Sequence, residues 1–368
     1  MGTQRSGDAG PIRLLVLEGD GIGPEITGAT LDVLRHADRV FALGLEFEFG
    51  DIGFAALKTD GTTFPARVLD LAREADGVVL GPVSHNAYPP VAEGGLNPSG
   101  ELRKRLDLFA NIRPARTRAG VEAPSRHEFD LVVVRENTEG FYADRSMFAG
   151  PGEFMPTEDL ALATRKVTRH ASLRIAHEAF NLARSRRSKV TAVHKANVLR
   201  LSDGLFLQAT REVARAFPDV AYEEQLVDAM AALLIRNAGA FDVIVTTNMY
   251  GDILSDEAAE LAGGLGLGAS LNAGAEHGVA QAQHGSAPTL AGQDKANPSA
   301  LIGSAAMLLI WLAARTSRPQ CRAAGVAIEA ALDRTIADPA MRTCDLGGTL
   351  GTRAFTESLI LNLSGEQP

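Results

Sequence analysis

Cysteine is nearly missing from this chain: Cys321 and Cys344 are the only two among 368 residues. That excludes a disulfide-stapled scaffold and makes a reducing compartment, the cytoplasm, the expected setting. Long apolar runs are missing too. Met1 to Gly10 is polar and has no apolar segment of signal-peptide length, so export is not expected. The most apolar stretch, 300–314, contains Gly303 and Ser304 and is shorter than the roughly 20 residues that span a bilayer, so no membrane partner is expected. Positive charge is not in excess: 36 basic against 45 acidic side chains leave a net charge of -9, which disfavours nucleic acid as a partner. A local basic cluster, Arg184, Arg186, Arg187 and Lys189, sits between a helical and a strand-like stretch and reads as a solvated connection rather than a phosphate site. No repeat period and no low-complexity linker divides the chain.

What is present is apolar content for a sizeable core, 45% of residues. It falls in short β-rich runs, Ile12 to Leu17, Gly77 to Leu80, Leu131 to Val134, Val190 to Val193 and Val243 to Thr246, with helical stretches such as Arg165 to Ala183 and Leu205 to Ala216 between them. That alternation predicts an α/β fold with a largely parallel sheet. Polar motifs follow the strands: Glu18 to Ile26, Arg135 to Tyr142, His194 to Asn197 and Asn248 to Asp252. Ligand groups gather beyond strand carboxyl ends in such sheets, so one shared cleft is expected. The glycine-rich opening Gly19-Asp-Gly-Ile-Gly23 is not a Rossmann fingerprint, because Ile26 stands where the third Gly or Ala belongs.

Asp252 and Asp256 are spaced by one helical turn at an expected strand-to-helix junction, which puts both carboxylates on one face. Two hard oxygen ligands for Mg²⁺ or Mn²⁺ are one reading, and helix capping is the other. Asp228 is a candidate third carboxylate. Arg103, Arg113 and Arg135 are candidates to grip carboxylates through paired hydrogen bonds. Arg135 ends an apolar strand, where an unpaired charge is costly, whereas Arg103 taken alone reads as a solvated helix face. Lys195, directly after a strand, and Tyr142 form a possible acid/base pair. The loop His284 to Gly292, running on to Asn297-Pro298, combines backbone freedom with polar groups and suits an adenosine moiety.

Together, Gly19 to Ile26, Leu106 to Pro114, Arg135 to Tyr142, His194 to Asn197, Asn248 to Asp256 and His284 to Ala291 resemble the β-decarboxylating dehydrogenases, the family of isocitrate, 3-isopropylmalate, homoisocitrate and tartrate dehydrogenases. The resemblance spans nearly the whole chain. It implies an isopropylmalate dehydrogenase-like two-domain α/β fold with a mixed central sheet, not Rossmann. Residues 1–108 and 263–368 would form the large domain, and 109–262 a small domain with a dimerisation arm and the metal aspartates. By the same resemblance Arg103, Arg113 and Arg135 hold malate carboxylates. Asp252 and Asp256 bind the metal, with Asp228 supplied by a partner subunit. Lys195 crosses the dimer interface with Asn197 beside it, and Tyr142 is catalytic. His284, Gly285, Ser286, Ala287, Thr289, Leu290 and Asn297 would hold the cofactor.

The resemblance also guides the choice of cofactor and substrate. NADP-using isocitrate enzymes tend to carry Lys and Tyr after the His-Gly-Ser-Ala-Pro motif, and NAD-using relatives Asp and Ile. Thr289 and Leu290 match neither pair but offer no cation for a 2′-phosphate, so NAD is expected, with Lys295 and Arg342 as the cations that count against it. Gln281 replaces a Glu common among relatives. Before Arg103 the chain places Ser99 and Gly100 where isopropylmalate enzymes offer leucines, which would forfeit part of about 1.5–3 kcal/mol of apolar burial, while Asn97 and Ser99 could hydrogen-bond a carboxylate. The expected substrate is isocitrate or a close tricarboxylic analogue, ahead of 3-isopropylmalate and tartrate. A silent regulatory subunit, the competing class, would have lost site residues that persist here.

Overall fold

The computed structural model describes residues 10–142, 147–150 and 152–365. Among the described residues the strands are β1 (Ile12–Leu17), β2 (Leu45–Phe49), β3 (Gly77–Leu80), β4 (Ala110–Arg116), β5 (Asp130–Glu136), β6 (Glu153–Thr157), β7 (Leu160–Ala163), β8 (Lys189–His194), β9 (Ala221–Leu226), β10 (Val243–Thr246), β11 (Leu271–Ala273) and β12 (Gly278–Gln281). The α-helices among the described residues are α1 (Gly23–Phe41), α2 (Gly53–Asp60), α3 (Ala66–Glu74), α4 (Pro98–Arg105), α5 (Arg169–Arg184), α6 (Ser202–Ala216), α7 (Val227–Asn237), α8 (Asn248–Leu261), α9 (Ser299–Thr316), α10 (Pro319–Ala337) and α11 (Thr352–Ser364). Strands β3 and β10 are buried along their whole length, so they read as continuous apolar runs rather than alternating ones.

Ten strands form one sheet in the order β2-β1-β3-β12-β11-β4-β5-β10-β8-β9. Pairing is parallel towards both edges, but β11 is antiparallel to β12 and to β4, and β4 is antiparallel to β5. The sheet is therefore mixed, and its two halves run in opposite directions. Most pairings are parallel, as the alternation predicts, and the antiparallel pairs around β4 and β11 make the sheet the mixed one that the resemblance implies. Strand β4 escapes notice in the sequence because Asn111, Arg113 and Pro114 break its apolar pattern. Pro114 is tolerated beyond the end of β11, which pairs only with Ala110 to Ile112.

Helix α9, 18 residues long, is apolar enough by composition to cross a bilayer, but 67% of it is buried inside this chain. It packs on α10 and on the sheet as a core helix. Cys321 is buried and Cys344 exposed, and both are free. The β6–β7 hairpin is a separate two-stranded sheet with every residue exposed. The basic cluster after α5 is knitted into the surface rather than merely solvated. Arg184 pairs with Asp219, Arg186 with Asp130 and Asp242, Arg187 with Asp242, and Lys189 with Glu223.

Candidate active site

Strand β5 carries Arg135 under α8, with its side chain 2% exposed. Its Nε and Nη2 donate to Asn248 Oδ1 at 3.1 and 2.7 Å, and its Nη1 donates to Asp252 Oδ1 at 2.5 Å. Those acceptors offset the desolvation of a buried guanidinium. Gly251 makes the crossing possible, because a Cβ there would stand 2.6 Å from Arg135 Cγ. On the neighbouring β4, Arg113 Nη1 reaches Asp252 Oδ1 at 3.2 Å, Asp256 Oδ1 at 3.1 Å and Ser255 Oγ at 2.8 Å. Two carboxylate oxygens, one helical turn apart, thus converge on one point. Helix α8 begins at Asn248 and has no acid in its first turn, so the capping reading of Asp252 and Asp256 is overturned, and with it their placement at a strand-to-helix junction.

Burial alone would raise both aspartates. The guanidinium groups of Arg135, Arg113 and Arg103 outweigh it at Asp252 and hold that carboxyl below the ordinary range. At Asp256 burial wins over Arg113, and the neighbouring Asp252 charge adds to it, so the carboxyl is raised. Arg113 itself is pushed down to about 10, first by burial and then by repulsion from Arg135. Charge is therefore stored in this cluster before any ligand arrives.

Arg103, Arg113, Arg135, Tyr142 and Asp252 line one cavity of about 330 Å³ together with Asn97, Ser99, Gly100, Gln281, His284 and Gly285. The surface reading of Arg103 fails, because Lys104 and Arg105, not Arg103, take the exposed pairs with Glu101. Tyr142 donates its hydroxyl to Asp252 Oδ2 at 3.3 Å. Asn97 caps α4 by accepting from Gly100 N at 3.2 Å, and Ser99 donates to Gln281 Oε1 at 2.9 Å. A larger cavity of about 540 Å³, lined by Trp311, Glu178 and Leu271 among others, is mostly apolar and holds none of the candidate groups.

The glycine-rich loop meets the loop after β12. Ile22 N donates to Ser286 O at 2.8 Å, and a Cβ on Gly21 would stand 2.0 Å from that carbonyl oxygen, so only glycine fits there. Ser286 and Ser84 share a hydroxyl bond of 2.7 Å. Ala287 takes a left-handed φ of 36°, a strain of the kind stored at binding loops. Burial pushes the His284 imidazole down, favouring its neutral form. Thr289 and Leu290 fall in a short turn, and Leu290 is exposed. Asn297 is tied to Asp345 at 2.9 Å and to Ser299 N at 3.0 Å. Arg342 is committed to the carbonyls of Ile336 and Ala337, which removes one of the two cations that left the choice of cofactor open.

Lys195 and Asp228 stand apart from this cavity and bond to each other at 2.5 Å. That bond holds the Asp228 carboxyl below its usual range. Asn197 beside them is exposed. Among the described residues no group of three or more acidic, His or Cys side chains comes together, so one chain offers a cation two carboxylates and no third. The donor set of Asp252 and Asp256 fits Mg²⁺ or Mn²⁺, which take oxygen ligands and keep positions open for water and substrate.

Sequence reasoning missed Asp20 and the asparagines Asn111, Asn137 and Asn272. Asp20 is buried and accepts from Phe54 N, Ser84 N and the Tyr88 hydroxyl, which anchors the glycine-rich loop. The asparagines were detectable only as polar residues inside otherwise apolar strand segments.

Three guanidinium groups against two carboxylates, beside a cavity of about 330 Å³, suit a small guest with several negative charges. The fold and the cleft define an enzyme for a polyanionic small molecule. The chain matches the isocitrate/isopropylmalate dehydrogenase family over residues 13–360. It is 40% identical over 354 residues to a 3-isopropylmalate/3-methylmalate dehydrogenase of Methanocaldococcus jannaschii, covering 94% of this chain and 97% of that one. It is 39% identical over 350 residues to an isocitrate/homoisocitrate dehydrogenase of Thermus thermophilus, covering 95% and 97%. The solved isocitrate dehydrogenase of Methylococcus capsulatus superposes with a TM-score of 0.84 at 36% identity, over 95% of this chain and 99% of that one. This protein belongs to that family, the oxidative decarboxylating dehydrogenases.

Proposed function

We propose that the chain catalyses NAD-dependent, Mg²⁺- or Mn²⁺-dependent oxidative decarboxylation of a 3-substituted malate, with isocitrate or a close tricarboxylic analogue preferred. The observation that carries the preference is the wall beside Arg103: Asn97, Ser99 and Gln281 offer hydrogen bonds where an isopropyl group would need apolar contact. The 40% identity to the isopropylmalate/methylmalate enzyme supports 3-isopropylmalate as the second reading.

In this reading Arg103, Arg113 and Arg135 hold the substrate carboxylates and orient C2 and C3. Asp252 and Asp256 would hold the cation, which supplies polarisation of the C2 oxygen, while the nicotinamide supplies the hydride acceptor. Binding of an anionic substrate relieves the mutual repulsion of the arginines and releases the aspartates from their pairing with Arg113 and Arg135. Substrate and cation should therefore bind cooperatively. Lys195, supplied by a second copy, relays the hydroxyl proton as hydride leaves C2, accepting it only as it passes its own proton on. The C3 carboxylate then departs as carbon dioxide, and Tyr142 returns a proton to C3. His284, Gly285, Ser286, Ala287, Thr289, Leu290 and Asn297 line the path for NAD.

Lys195, Asn197 and Asp228 would complete the site of a second copy, making the active form a homodimer with shared sites. The exposed β6–β7 hairpin and the exposed apolar side chains of Val198, Leu201 and Ile253 support a partner surface there. Residues 109–262 would move as one body against 1–108 with 263–368. The test is a panel of isocitrate, homoisocitrate, 3-isopropylmalate and tartrate with Mn²⁺ and either NAD or NADP, following reduced cofactor. Turnover of a tricarboxylate with NAD is expected. A strong NADP preference overturns the cofactor, and silence with every malate overturns the function.

A further inference from the structure

We propose that the cavity of about 540 Å³ behind the central sheet is a second ligand site, and that it takes a small amphipathic organic cation, with an ammonium group for Glu178 and an apolar body for the wall around it. This site is independent of the chemistry proposed for the cleft in front.

Side chains alternate along a strand, and β4 shows which way each cavity faces. Arg113 turns into the cleft that holds Arg103, Arg135 and Asp252, whereas Ile112 and Pro114 on either side of it line the larger cavity. The start of β11 repeats the pattern, with Ser270 in front and Ala269 and Leu271 behind. The two spaces therefore lie back to back across the sheet. The rear one has the volume of a small-molecule site, which runs roughly 300–1,000 Å³. Leu271, Met307, Ile310 and Trp311 make its wall mostly apolar.

The charges in that wall decide what it can hold. Arg116 and Arg118 pair with Glu329, and Arg186 pairs with Asp130, so these groups satisfy one another. Arg315 stacks on Trp311, 3.6 Å from the ring centroid, and donates to the carbonyls of Gly274 and Ala275 at 3.1 and 3.4 Å. Arg322 is exposed, where a single ion pair is worth little. Glu178, carried by α5, is the exception: it is partly buried and makes no hydrogen bond or ion pair among the described residues. Burial raises its carboxyl, and the charge of Arg315 opposes that only in part. A carboxylate in a mostly apolar cavity costs free energy until a cation meets it. An uncharged guest would cover the apolar wall but leave the carboxylate desolvated and alone, and an anion would add repulsion. An ammonium on an apolar body satisfies both.

The test is calorimetric titration of the full-length wild type and Glu178→Gln with benzylammonium, phenethylammonium and hexylammonium, each against the alcohol of the same skeleton. Wild type should bind at least one ammonium roughly tenfold to a hundredfold tighter than its alcohol, the range for hydrogen bonds to a charged group. In Glu178→Gln that preference should vanish. Succinate, which pairs with the arginines in front, should leave the preference of wild type intact. Silence of wild type with all three ammoniums, or tighter binding of phenylacetate than of phenethylammonium, overturns the proposal. So does a preference that survives Glu178→Gln or is abolished by succinate, since either would put the cation elsewhere. Removal of an unpaired carboxylate should not lower the melting temperature, so loss of binding in the variant reads the site rather than the fold. No step needs turnover, and failure of the proposed reaction would leave this result standing.

Discussion

Replacing Arg113 by methionine separates what this cluster does for stability from what it does for binding. Burial and the Arg135 charge push the guanidinium down to about 10 from its ordinary value, a penalty on the order of 3 kcal/mol for carrying the charge in the ligand-free fold. The sign is that of a base with a depressed folded-state value: the penalty is constant below pH about 10 and lifts only above it. Methionine removes the charge and keeps much of the volume. Against that gain stands Asn111 Oδ1, buried and left without its donor, at a cost of about 1–3 kcal/mol. The two terms nearly cancel, so the ligand-free Arg113→Met protein should melt within a few degrees of wild type, or above it, equally at pH 6 and pH 8. Its kcat/KM should nevertheless fall by at least about 10²–10³, and a dicarboxylate should raise the melting temperature of wild type but not of the variant. Differential scanning fluorimetry with and without succinate decides it. A drop beyond about 5 °C in the ligand-free variant would refute the idea that the arginine cluster stores electrostatic strain for the substrate to release.

Three further outcomes follow from the same geometry. Gly251→Ala places a methyl 2.6 Å from Arg135 Cγ. It should destabilise by about 1–3 kcal/mol and raise the KM for substrate more than for cofactor, and equal effects on both would argue against displacement of Arg135. Glu178 is raised by burial, so its charged form is penalised at neutral pH and the penalty vanishes once both states are protonated. Glu178→Gln should therefore melt higher than wild type at pH 7 and level with it in acid, and a lower melting temperature at pH 7 contradicts the burial argument. Arg113→Met and Asp228→Asn, each inactive alone, should regain roughly a quarter of wild-type activity when co-refolded, since half of randomly paired dimers would hold one intact site. No recovery would mean that the sites are not shared.

How legible all this was in the sequence depended on the physics behind each signal. Ile12–Leu17, Gly77–Leu80 and Val243–Thr246 have the bounds expected, because buried strands are continuous apolar runs. Helix α5 starts later than its apolar pattern, since Thr168 caps it by accepting from Ala171 N. The reversal of direction at β4 and β11 was invisible, because pairing sense is a tertiary choice and these strands are short or polar. Arg135 was readable, as a charge ending an apolar strand. Arg103 was not, as only the cavity distinguishes it from Lys104 and Arg105. The even choice between capping and metal binding for Asp252 and Asp256 turned on where α8 begins, and helix ends are what periodicity locates least well. Asn111, Asn137 and Asn272 were visible one by one as polar residues in apolar segments, but their bonding to one another was not, since they come from three separate strand regions and meet only in the folded sheet.

The central claim is that the cleft of Arg103, Arg113, Arg135, Asp252 and Asp256 performs oxidation and decarboxylation on one substrate. It is tested most directly by measuring reduced nicotinamide and carbon dioxide together from carboxyl-labelled isocitrate and 3-isopropylmalate with Mn²⁺. The account predicts equal amounts of the two products, lost on chelation and in Asp252→Asn. Product formation that survives both, or oxidation without release of carbon dioxide, would contradict it.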